Sequence, residues 1–122
     1  KFPDLDFVFL EAGQGWVPLT MFRLNKEYDM RRSEAPLLEK SPEEYMREFF
    51  YGTQPLDEPN DPEHLNQLLR MIGTDSVTFS SDLPHWNFDN PEAIDKHFTQ
   101  FSPEEREKFL NGNAAEAYGI SL

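Results

Sequence analysis

The sequence predicts an α/β protein built on parallel strands, and three observations carry that prediction. Short apolar runs of strand character recur three times, and each is followed by a helix-start signature or a stretch of helical spacing. Glycine or small polar residues separate the two kinds of segment. Strands joined through helices run parallel, because a right-handed crossover returns the chain to the same end of the sheet. Three such units make a piece of a barrel rather than a whole one: eight units take about 250 residues, and the chain has 122.

The first strand is expected over Asp6 to Leu10, ending in Glu11-Ala12-Gly13-Gln14-Gly15, where two glycines permit a tight turn. From Trp16 to Arg32, loosely helical spacing brings Trp16, Leu19, Met21, Phe22, Leu24 and Tyr28 together, with Met21, Phe22 and Leu24 read as a core stripe. Ser41-Pro42-Glu43-Glu44 is a capping box with proline at the first helical position, so a short helix begins there. The second strand is Phe49 to Tyr51, closing with Gly52-Thr53-Gln54-Pro55.

Asp57 to Asp61 is acidic, contains Pro59, and reads as a solvated loop. A helix then opens at Asp61-Pro62-Glu63, buries Leu65, Leu68, Leu69 and Ile72, and stops at Gly73. The third strand is Val77 to Phe79, followed by Ser80-Ser81-Asp82. Asn90-Pro91 starts a helix to about Thr99, a second capping box at Ser102-Pro103-Glu104-Glu105 starts one to about Leu110, and a last short helix covers Ala114 to Tyr118.

Bulk properties narrow the function. The chain carries 23 acidic and 11 basic residues, a net charge of -12, which repels nucleic acid and anionic lipid. It has no cysteine, so disulfides, thiolate catalysis and cysteine-based zinc sites are excluded. A reducing, cytoplasmic setting is the expectation that fits. No apolar run approaches the ~20 residues of a membrane span. Eleven Phe, four Tyr and two Trp argue for a packed core. The chain opens at Lys1 and reaches a strand within a few residues, so it is expected to be a fragment of a longer polypeptide.

Active sites of parallel sheets lie at the C-terminal ends of the strands. Three clusters fall there: Glu11 with Gln14, Thr53 with Gln54, and Asp82 with His85. The third is the richest. A carboxylate just past a strand can bind a divalent cation and accept a proton from water whose pKa the cation lowers to around 7. The structural reading weighs as much at this point: Asp82 caps a turn and His85 bonds a backbone carbonyl. Trp16 and Trp86 are candidates for a substrate pocket or for packing. Arg23 is either a carboxylate binder or one half of an ordinary ion pair.

The segments Phe2-Pro3-Asp4-Leu5 through Phe9-Leu10-Glu11-Ala12-Gly13, then Phe79-Ser80-Ser81-Asp82-Leu83-Pro84-His85-Trp86, then Gly112-Asn113-Ala114-Ala115 with Tyr118-Gly119, resemble the closing part of the amidohydrolase-related family. That branch also holds aromatic-acid and aminocarboxymuconate-semialdehyde decarboxylases. The resemblance covers nearly the whole chain, and Ser-Asp-x-Pro after a strand is its most specific element.

The resemblance implies a (β/α)8 TIM barrel of the metal-dependent hydrolase type. Residues 1–122 form its C-terminal portion, about strands six to eight, and the N-terminal portion lies elsewhere. Asp82 matches the family's strand-eight aspartate, a metal ligand or a proton acceptor beside the metal. The implied cofactor is one divalent ion, zinc first, with manganese or iron as alternatives. The family's His-x-His pair and strand-five histidine have no counterpart here; His64 and His97 match no family motif and read as surface or packing residues.

Glu11 stands where decarboxylases of this branch carry a histidine, which favours hydrolysis of an amide, ester or lactone over decarboxylation of an aromatic or unsaturated acid. A catalytic pair of Asp82 and Glu11 is therefore expected, with His85, Trp86, Trp16, Gln14 and Thr53 around the substrate. A non-catalytic fragment or metal-free scaffold is the reading from a different class. Expected partners are the missing part of the barrel, a small-molecule substrate and further copies of the protein. The fragment alone is expected to be inactive.

Overall fold

The computed structural model describes residues 5–94 and 96–122, so the Phe2-Pro3-Asp4 end of the family resemblance lies outside the described residues. Three short strands, β1 (Val8–Phe9), β2 (Phe50–Gly52) and β3 (Val77–Thr78), form one sheet in the order β1-β2-β3, and both pairings are parallel. Register sets Phe9 opposite Tyr51 and Tyr51 opposite Val77, so these three share one face of the sheet. Phe9 and Tyr51 stack at 5.5 Å with planes 11° apart.

Helices cover that face. Helix α1 (Trp16–Arg31) is followed by a single 3-10 turn (Arg32–Glu34) and the short α2 (Pro42–Met46). Pro18 fits in the first turn of α1 because the amide hydrogen it lacks has no helical partner there. Both halves of the predicted capping box form: the Ser41 hydroxyl accepts from the Glu44 amide, and the Glu44 carboxylate accepts from the Ser41 amide. Helix α3 (Pro62–Ile72) begins on the Asp61 side chain and buries Leu65, Leu69 and Ile72. These meet Val17, Met21, Met46, Tyr51 and Val77 in the core, joined by Ile94, Phe98, Phe101 and Phe109 from the C-terminal third.

The expected apolar stripe on α1 is only partly core. Met21 is buried, but Phe22 and Leu24 are 57% and 42% exposed. Phe22 falls on the outer side once Val17 and Met21 fix the inward face of a 3.6-residue period; Leu24 lies on the inward side by that period and is exposed nonetheless.

Two boundaries also differ. Helix α4 spans only Pro91–Ile94 and gives way to turns around His97 and Gln100, short of Thr99. Asn66 donates to the His97 carbonyl at 2.9 Å, taking an acceptor that a continued helix would use, and Phe98 and Phe101 pack against Phe109. The last two expected helices are one run: α5 (Pro103–Glu107), a π segment (Lys108–Gly112) and α6 (Asn113–Ala117).

That run closes the outer edge of β3. The Phe79 amide donates to the Phe109 carbonyl at 3.0 Å. The buried Asn113 side chain donates to the carbonyls of Val77 and Thr74 at 2.7 and 2.8 Å. The Phe79 amide and the Val77 carbonyl are thereby paired within the chain. On the β1 side, Leu5, Phe7 and Leu10 remain about half exposed.

Candidate active site

The site is built where the three strands end. Two non-glycine residues among those described have a positive φ, Glu11 at 54° and Asp82 at 56°. The left-handed region costs an L-residue with a Cβ about 1 kcal/mol or more, so the surroundings must impose it. Such residues concentrate at functional sites. These are the two carboxylates expected from the sequence to carry the chemistry.

Asp82 stands four residues past β3, before a cis Leu83–Pro84 bond. Its carbonyl accepts from the His85 amide at 2.8 Å, closing a turn. Its carboxylate Oδ2 lies 3.2 Å from His85 Nδ1. The imidazole nitrogen thus lies beside one carboxylate oxygen. The Asp82 side chain is about one-third exposed, and Trp86, whose ring lies 5.5 Å from that of His85, is 85% exposed.

Gln14 and Thr53 are fully buried and their polar atoms are spoken for. Gln14 Nε2 donates to the Gly52 carbonyl at 3.0 Å, and Gln14 Oε1 accepts from the Asp57 amide at 3.3 Å. Thr53 Oγ1 accepts from the Ser80 amide at 3.3 Å. Trp16 packs edge-on against Phe9 and Tyr51, and its Nε1 donates to the Gly13 carbonyl at 3.1 Å. Arg23 pairs with Glu27 one helical turn away, on an exposed face. His64 is exposed, and half-buried His97 sits 3.5 Å from a carboxylate oxygen of Glu58.

The three strand-end loops therefore hang on the middle one. Gln14 and Asp57 tie the β1 loop to the β2 loop. Thr53 and Gln54 tie the β3 loop to it, the latter through Gln54 Nε2 donating to the Asn87 carbonyl at 2.8 Å. Gly52 is the pivot: a Cβ there would lie 2.8 Å from Ser80 Oγ and 3.2 Å from Leu10.

Asp57, Asn87 and Asp89 were not singled out by sequence reasoning. Asp89 donates its amide to the Ser81 carbonyl and places its carboxylate near Asp82, Glu58 and His97. Burial holds its pKa above the usual carboxylate value; the Leu56 amide pulls it back, Glu58 and Asp82 push it up, and His97 opposes them. One Asp89 oxygen is enclosed with no hydrogen-bond partner among the described residues.

Asp82 offers the hard oxygen ligand a divalent cation takes, but among the described residues no group of three or more His, Asp or Glu side chains could hold one. Asp82 fits as a single ligand of a larger set. A depression of about 740 Å³ lies between Leu5, Phe7, Leu38 and Phe49, and neither Asp82 nor Glu11 lines it. No helix among the described residues is long and apolar enough to cross a membrane.

The sequence model of a family described as Amidohydrolase matches residues 1–120. Among solved structures, an amidohydrolase from Mycobacterium avium subsp. paratuberculosis K-10 is similar with a TM-score of 0.74 and 26% identity, over 94% of this chain and 28% of that one. A dihydroxybenzoic acid decarboxylase from Polaromonas sp. JS666, with bound manganese and the inhibitor 2-nitroresorcinol, matches at 0.57 and 25%, over 97% of this chain and 35% of that one.

A 2,6-dihydroxybenzoate decarboxylase complexed with 2,6-dihydroxybenzoate shares the fold at 0.58 and 23%, over 97% and 36%. The chain thus spans about a third of the solved proteins it matches. No curated protein matches.

Proposed function

The chain belongs to the amidohydrolase family and has the fold of part of its TIM barrel, and on that premise we propose that it supplies the strand-eight corner of a metal-dependent hydrolase active site. The observation that carries this reading is the shared left-handed backbone of Glu11 and Asp82, at two strand ends of one parallel sheet. The substrate is a small molecule with an amide, ester or lactone carbonyl. When bound, one divalent cation (zinc, manganese or iron) supplies Lewis acidity that polarises the carbonyl and makes water a better proton donor.

Within this chain the roles divide. Asp82 takes the proton from the attacking water as its oxygen bonds to the carbonyl carbon. It returns that proton to the leaving nitrogen or oxygen as the old bond breaks, so the carboxylate ends as it began. His85 holds Asp82 Oδ2 in place. Glu11, at the end of β1, serves as a second acid/base or a substrate contact. His85 and Trp86 border the open side, over which the rest of the barrel closes. The remaining metal ligands come from that other part, together with the second wall of the pocket.

The manganese-containing dihydroxybenzoic acid decarboxylase favours a second reading, carbon–carbon lysis of an aromatic acid. There a neighbouring acid protonates the ring carbon as carbon dioxide leaves. Glu11 is the group of this chain that would carry that proton.

The test uses the full-length polypeptide with zinc or manganese. Assay against a panel of esters, lactones and amides is expected to show turnover. Release of carbon dioxide from 2,6-dihydroxybenzoate with no hydrolysis across the panel would replace the first reading with the second. Loss of neither activity on Asp82→Asn would remove both.

A further inference from the structure

We propose that Asp57, which lies outside the expected site, is a positioning residue that sets the backbone of the Glu11 turn. This rests on the reading that Glu11 belongs to the active site.

Asp57 Oδ2 accepts from the amides of Gln14 and Gly15 at 2.7 and 2.8 Å. The contact is returned: the Asp57 amide donates to Gln14 Oε1, while Gln14 Nε2 holds the Gly52 carbonyl. Residues 43 apart in the chain thus form a two-way clasp around one fully buried side chain.

The Gly-Gln-Gly turn is shaped to this carboxylate. Gly13 has φ +64°, and a Cβ on it would lie 3.2 Å from Asp57 Oδ2; on Gly15 the distance would be 3.5 Å. Helix α1 has no acidic residue in its first turn and no side-chain cap from Gly15. Asp57 fills that electropositive end from another loop, so the end is closed to a substrate anion.

Glu11 stands two residues before Gly13, at φ 54°. One end of its turn is held by β1 and the other by the clasp. With both ends fixed, the residues between have few backbone conformations to choose from, which is how an unfavourable φ is maintained. An ordinary helix cap would stabilise α1 and leave Glu11 indifferent; a clasp that positions Glu11 couples the two.

The experiment compares Asp57→Ala and Asp57→Asn in the full-length protein. Asparagine keeps an oxygen that can accept from both amides, and alanine keeps none. The first readout is the Cα chemical shift of Glu11, which reports its backbone conformation and needs no substrate. Asp57→Ala is expected to move that shift out of the left-handed range and to speed amide exchange at Gln14 and Gly15 about tenfold or more. Asp57→Asn is expected to restore both.

The second readout is kinetic, on whichever probe (an ester, a lactone or 2,6-dihydroxybenzoate) the wild type turns over. For Asp57→Ala, kcat is expected to fall about tenfold with KM within twofold, since misplacement acts on the reacting geometry. An unchanged Glu11 shift in Asp57→Ala overturns the proposal, whatever the kinetics. A moved shift with wild-type kcat keeps the clasp and overturns the reading that Glu11 belongs to the active site. A wild type that turns over no probe counts against the functional reading, and the shift still decides the clasp.

Discussion

The turn after β1 and the loop after β3 end the two outer strands of the same sheet, yet they are held in opposite ways. The β1 turn is drawn inward: Gln14 is fully buried, and Asp57 returns two hydrogen bonds to its backbone. The β3 loop is tied at its base by Thr53 and Gln54 and left open at its tip, with Leu83 69% and Trp86 85% exposed. Both present a carboxylate from a left-handed residue. The difference teaches that a strained residue can be fixed either by burying its neighbours or by a local turn. The second solution leaves apolar side chains exposed at the tip.

This contrast can be broken by substitution in the full-length protein. The largest effect falls on the open loop: Asp82→Asn should lower kcat by about 10² to 10⁴-fold and move the melting temperature little, because its side chain is partly exposed. Activity assay with thermal unfolding separates the two. The buried base of β3 should respond in stability instead. Asn113→Ala leaves the Thr74 and Val77 carbonyls without their partner and should cost about 2 kcal/mol, read by chemical denaturation.

Tyr51 gives the next effect. Burial pushes its phenol up to about 12, and its hydroxyl donates to the Met46 carbonyl at 2.8 Å. From pH ~10 to ~12 the unfolded chain loses this proton first, so the folded state binds more protons and stability falls as pH rises, by roughly 2–3 kcal/mol. Tyr51→Phe should lose about 1 kcal/mol near neutrality and flatten that alkaline decline.

The smallest change is at the base of the open loop. The pKa of Asp89 is raised, so its folded form holds a proton that the unfolded chain gives up, and stability falls as pH climbs above the ordinary carboxylate value. Asp89→Asn should be neutral in acid and stabilising at pH 7. A destabilised variant at pH 7 would mean that the charge at Asp89 is used by the site.

Much of this fold was legible because it rests on local rules. The capping boxes at Ser41 and Ser102, the α3 stripe and the three apolar runs each follow from spacing within one segment. What escaped depends on residues far apart. Phe22 looks like core until Val17 and Met21 take the inward face, and Leu24 is exposed although the helical period sets it on that face. The turn after α4 is tied to Asn66, some thirty residues earlier. Asp57 looked like part of a solvated acidic loop, and only the fold reveals its partners at Gln14 and Gly15. The two glycines around Gln14 were the one available hint, since they allow a close approach without saying of what.

For the site, the positions of Asp82 and Glu11 at strand ends were readable, and their backbone conformation was not. The 3.2 Å approach of His85 Nδ1 to the Asp82 carboxylate was not foreseen either.

The central claim, that Asp82 works at the end of this strand, is tested most directly by one ratio: kcat of the metal-loaded, full-length wild type over that of Asp82→Asn, on the best substrate of the hydrolytic panel. A ratio of about 100 or more with an unchanged melting temperature is the predicted result. A ratio near one would contradict it and leave Asp82 as a turn residue.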